Sequence, residues 1–65
     1  MHWELYEVWA VVDGHEELVD TTKSLTEARD WATVGIQDQG YEEVVIYRET
    51  QDGDLEELER FTASD

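Results

Sequence analysis

Val8-Trp9-Ala10-Val11-Val12-Asp13-Gly14 is a nearly continuous β-rich apolar run that ends in a two-residue turn signal. A run with so little alternation suits a central strand covered on both sides. Asp13-Gly14 suits a tight hairpin, because glycine readily takes the positive φ such turns require. A strand is therefore expected from Trp3 to Val12, returning as a second strand from Glu16 to Thr22. In that return Leu18 shares one parity with Glu16, Asp20 and Thr22, and Val19 shares the other with Glu17 and Thr21.

Ser24-Leu25-Thr26-Glu27 follows, a capping-box pattern in which the Ser24 hydroxyl accepts from the Glu27 amide and the Glu27 side chain reaches back. Leu25, Ala28, Ala32, Gly35 and Ile36 then recur at helical spacing, and Gly40 is placed to end the helix in a left-handed conformation. Gly35 costs about 1 kcal/mol relative to Ala inside a helix, so it is expected to serve close packing on the sheet. Tyr41 to Thr50, built on Val44-Val45-Ile46-Tyr47, reads as a third strand, with Gln51-Asp52-Gly53-Asp54 as a second turn. Leu55, Leu58 and Phe61 are spaced by three, which suits a short helix, but after a hairpin turn a strand is the preferred reading. Ser64-Asp65 is expected to fray.

The order is β-β-α-β-β, in one α+β domain over residues 1–65. The simplest architecture is a four-stranded antiparallel sheet with the helix on one face. The strands around Val8–Val12 and Val44–Tyr47 should be central, leaving the other face open to solvent or a partner. Trp9 is read as core. Trp3 and Trp9 share parity with Leu5 and Val11, a stripe through which two copies could otherwise associate.

With 65 residues the core is thin, and a deep cleft is hard to build. There are no cysteines, so neither a disulfide nor a thiolate is available. Asp and Glu total 18 against four Lys and Arg, a formal net charge of −14. That balance argues against direct binding to nucleic acid or an anionic membrane, both of which need basic patches. Met1-His2-Trp3-Glu4 lacks the basic and apolar regions of a signal peptide, and no apolar run nears a membrane span, so a cytoplasmic location is the default expectation.

Nothing in the chain forms a catalytic constellation, and no enzyme activity is expected. His2 is terminal and His15 sits beside a turn, where a solvated role is the simplest. Asp52, Asp54, Glu56 and Glu57 offer oxygen donors, but they do not continue into a calcium-loop frame. No metal or cofactor is expected. The glycines are accounted for by turns, a helix end and packing, so no phosphate loop is present.

What remains is the acidity. The carboxylates expected to meet a partner are Asp13, Glu16, Glu17 and Asp20 of the first hairpin, Glu42 and Glu43 at the third strand, and Asp52, Asp54, Glu56 and Glu57 of the second hairpin. Duplex DNA carries one negative charge per about 1.7 Å of axis. Strands place same-face residues about 6.6 Å apart and neighbouring strands about 4.8 Å apart, comparable intervals for phosphate surrogates. In size, acidity and element order the chain resembles the small phage-encoded inhibitors that mimic DNA, anti-CRISPR and anti-restriction proteins among them. That resemblance is one of class and transfers no residue. It implies a partner with a cationic nucleic-acid-binding site, such as a nuclease or CRISPR effector complex. The alternative expectation is a halophile-adapted interaction domain, monomeric or homodimeric, in which many acids and a single lysine serve a salty environment.

Overall fold

The computed structural model describes residues 4–63, and the expectations for His2, Trp3 and the Ser64-Asp65 end lie outside them. The chain runs β1 (Leu5–Val12), β2 (His15–Thr22), α1 (Leu25–Asp38), β3 (Glu43–Glu49) and β4 (Leu55–Thr62). All neighbouring strands are antiparallel, in the order β2-β1-β3-β4. The β-rich apolar segments are thus central and the glutamate-rich ones are the edges. Leu55–Thr62 is a strand despite its three-residue apolar spacing.

The first turn takes positive φ at both Asp13 (51°) and Gly14 (84°). Two such residues in a two-residue loop match the right-handed twist of the flanking strands. Gly53 at φ 88° serves the second turn, where the Thr50 amide donates to the Asp54 carbonyl at 2.8 Å.

Helix α1 begins as its capping pattern predicts, with the Glu27 amide donating to Ser24 Oγ at 3.2 Å. The return arm differs from the expected box. The Ser24 amide donates to Thr22 Oγ1, and the Thr22 hydroxyl donates to Glu27 Oε2, each at 3.1 Å. Thr22 is buried at the end of β2, so it relays the bond and ties that strand to the helix start. Its hydroxyl can accept and donate at once, which a direct Glu27 contact would not use.

The core lies between α1 and one face of the sheet. Tyr6, Val8, Ala10, Val44 and Ile46 meet Ala28 and Ala32, with Leu25, Ile36, Tyr41 and Phe61 packed at the margin. Small alanines on the helix let it settle close to the central strands. Both edge strands carry a bulge. Val8 opposes Asp20 and Trp9 opposes Leu18, leaving Val19 as the extra residue in β2. Ile46 opposes Glu59 and Tyr47 opposes Glu57, leaving Leu58 as the extra residue in β4. Val19 and Leu58 both pack on the core. The strict alternation expected for β2 therefore fails at Leu18–Val19, because a bulge shifts the parity of everything beyond it.

Gly35 has the packing role its cost suggests, though against the approach to β3 more than β3 itself. A Cβ there would lie 2.9 Å from Tyr41 Cδ2 and 3.6 Å from Val44 Cγ2. The Tyr41 amide also donates to the Gly35 carbonyl at 3.3 Å, holding the ring close. Tyr41 itself precedes β3 instead of opening it. Overpacking costs about 1–3 kcal/mol and better helix propensity returns about 1. Gly35→Ala should lower stability by about 1 kcal/mol in urea unfolding. An unchanged or raised midpoint would show that the ring gives way freely.

Candidate functional site

Among the described residues, no element lies over the face of the sheet turned away from α1. Since Tyr6, Val8 and Ala10 point to the helix, Leu5, Glu7, Trp9 and Val11 point the other way. Pairing extends this face across the strands in rows. Thr21, Glu7, Tyr47 and Glu57 form one row; Leu18, Trp9, Val45 and Arg60 form the next; Glu16, Val11, Glu43 and Thr62 form a third. Leu5, Glu49 and Leu55 close the end.

The middle of this face is well packed. Val45 is fully buried although no helix covers it, with Trp9 and Arg60 directly opposite on the two neighbouring strands. Trp9, which the sequence reads as core, is half-buried on this open face and is not among the buried core residues. Its odd position in β1 decides this, because Val8 and Ala10 take the helix side. Its ring meets Tyr47 edge to face, with centroids 6.4 Å apart.

Four glutamates on this face are held by side chains of the same face. The Trp9 indole donates to Glu7 Oε1 at 3.0 Å. The Tyr47 hydroxyl donates to Glu16 Oε1 at 3.1 Å. Arg60 donates to Glu57 Oε1 at 2.7 Å and also pairs with Glu43. The Arg60 bond lowers the pKa of Glu57, and the guanidinium's own pKa is raised by Glu57 and Glu43. Burial raises the pKa of Tyr47, and its bond to Glu16 raises it further, so it remains a donor at neutral pH. A carboxylate offers about four lone-pair sites, so one bond of this kind orients it and leaves capacity for another partner.

Among the carboxylates expected from sequence, Glu16, Glu43 and Glu57 come together here. The others do not join them. Glu17 opposes Ala10 and Asp20 opposes Val8, which places both on the helix side, and Glu17 contacts His15 at 3.2 Å. Glu56 is on the helix side too, paired with Arg48. Glu42 precedes β3, and its carbonyl accepts from the Ala63 amide. Asp13 lies in the turn beside the start of β3, and Asp52 and Asp54 lie in the turn at the opposite end. Because β1 and β3 run antiparallel, their two hairpin turns must point to opposite ends of the sheet. Glu7, Glu49, Trp9, Tyr47 and Arg60 were missed as site residues. The shared odd parity of Glu7 and Trp9 in one strand was the available signal.

Among the described residues, no group of three or more His, Cys, Asp or Glu is arranged to hold a metal, and no helix is long and apolar enough to cross a membrane. No protein-family model matches the chain, and no curated protein or solved structure matches it either.

Proposed function

We propose that this chain is an acidic binding module that lays the open face of its sheet on a cationic protein surface, one that otherwise holds nucleic-acid phosphates. Its action is occupancy, without catalysis. A nuclease or an RNA-guided effector complex is the class of partner that offers such a surface. The observation that carries this reading is the set of oriented glutamates. Glu7, Glu16, Glu43 and Glu57 are held by Trp9, Tyr47 and Arg60, so little side-chain entropy remains to be lost when Lys or Arg of a partner binds them. With Glu49 added, five glutamates share the face with one arginine.

The same arithmetic disfavours a dimer through this face. Two copies would set ten glutamates against two arginines, and like charges held together cost several kcal/mol.

Displacement of a labelled duplex from a panel of nucleases and RNA-guided effectors tests the proposal. The triple Glu7→Lys, Glu16→Lys, Glu49→Lys adds six charges, as does Glu17→Lys, Asp20→Lys, Asp38→Lys away from the open face. Both carry net −8 in place of −14, so bulk charge is matched. At about 1.5 kcal/mol per close charge pair, the open-face triple should bind about a thousandfold more weakly. The other triple should remain near the parent. Equal losses in both, or no displacement by the parent chain, would sink the reading.

A second reading has its own observation. Carboxylates also occupy the helix side and both turns, the broad distribution that a salt-adapted surface requires. The two readings part on behaviour at low salt.

A further inference from the structure

The rows of the open face repeat about a two-fold axis. Strands β1 and β3 are antiparallel, so a half-turn about a line between Trp9 and Val45 exchanges them, and with them the edge strands β2 and β4. That half-turn sets Glu7 on Glu43, Glu16 on Glu57 and Thr21 on Thr62. It also sets Leu18 on Arg60, and there the repeat breaks. Around Arg60 the pattern is a filled cation seat. The guanidinium donates to Glu57 on its own strand at 2.7 Å and pairs with Glu43 on the next. The molecule itself thus shows what a glutamate pair in this arrangement holds. In the other half, the place of Arg60 belongs to Leu18, which stands 51% exposed on an edge strand. Glu7 and Glu16 are held there by the Trp9 indole and the Tyr47 hydroxyl, neutral donors that aim the carboxylates without cancelling their charge. The Trp9 and Tyr47 rings meet each other, so one aromatic pair carries both carboxylates.

We propose that a partner delivers an arginine over Leu18, its guanidinium taking between Glu7 and Glu16 the place that Arg60 takes between Glu57 and Glu43. This rests on the open face being the binding face, and it names the group that enters it. The aliphatic stem covers the exposed Leu18. Two carboxylates on neighbouring strands call for separate N–H donors at a fixed spread. A guanidinium has five in a rigid fork, whereas an ammonium is a point charge.

The test is an NMR titration of the whole chain with N-acetylarginine amide and, separately, N-acetyllysine amide at equal, low ionic strength. The Trp9 indole and Leu18 methyl signals should shift saturably. The second exposed ion pair should bind arginine up to about fivefold more tightly than lysine. Leu18→Arg should fill the seat from within, abolish the indole shift and lower the pKa values of Glu7 and Glu16 in a carboxyl titration. Leu55→Arg adds the same charge at the far end of the same face and should keep the shift. Equal losses in the two variants would reduce the effect to bulk charge and overturn the seat. So would non-saturating shifts spread over all the carboxylates, or Glu7 and Glu16 titrating in Leu18→Arg as they do in the parent. The panel of nucleases and effectors separates this inference from the function above. Displacement that survives Leu18→Arg sinks the seat alone. Saturable arginine binding in a chain that displaces nothing supports the seat and sinks the proposed class of partner.

Discussion

Ile46→Ala is expected to leave most of the chain unfolded at 25 °C. Ile46 is fully buried in the middle of β3, between Val8 on β1 and Glu59 on β4, beneath the helix. Removing its outer carbons forfeits burial and leaves a cavity that the central strands cannot close, at about 2–5 kcal/mol. A single core in a chain this short rarely supplies more than about 3–5 kcal/mol in total. The loss is therefore comparable to the whole stability. Loss of amide dispersion in an NMR spectrum, or a urea midpoint near zero, checks it. Leu18→Ala is the matched control. Leu18 is 51% exposed on the edge strand, so a change of similar size should cost no more than about 0.5 kcal/mol. If Ile46→Ala unfolds at nearly the parent's urea concentration, the core does not carry the fold as argued.

Lowering salt to about 10 mM should leave the chain folded at 25 °C while reducing its Tm by roughly 10–20 °C relative to molar salt. The Debye length grows from about 3 Å at 1 M to about 30 Å at 0.01 M. The longest dimension of the molecule is 38 Å, so at low salt nearly every carboxylate feels the others. That repulsion acts on the compact state and is spread over both ends and both faces. Opposing it are the buried apolar core, which salt screening does not weaken, and arginine pairs that strengthen as salt is withdrawn. Arg60 joins β4 to Glu43 of β3, and Arg29 joins the helix to Glu59 of β4. Circular dichroism against temperature at several salt concentrations gives the answer. A folded chain at 10 mM means its carboxylates can be presented without screening, as a phosphate surrogate must present them. An unfolded one would make the acidity a salt adaptation, and the binding proposal would fall.

Much of the candidate face could be anticipated and much could not. Local crowding of acids points to Glu16 and Glu57 in the hairpins and to Glu43 at the third strand, and these three do share the open face. Glu17, Asp20 and Glu56 were singled out for the same reason and lie on the other side. Composition cannot separate these groups, since adjacent strand residues point to opposite faces. Trp9 shows the same limit. Its apolar character argued for the core, but parity with Glu7 assigned it to the open face, where it holds that glutamate in place.

Local chemistry settles the element order. Paired positive-φ turn residues at Asp13-Gly14, the Ser24 cap and the left-handed Gly40 each act within a few residues of chain, so they are legible without a fold. The two bulges and the cross-strand clasp of Arg60 are different in kind. They depend on which strands become neighbours and in what register, and register is fixed when Val8, Ala10, Val44 and Ile46 bury themselves together under Ala28 and Ala32. Val19 and Leu58 turn inward because the core edge offers apolar contact there, and the resulting shift in parity assigns each edge-strand glutamate to its face.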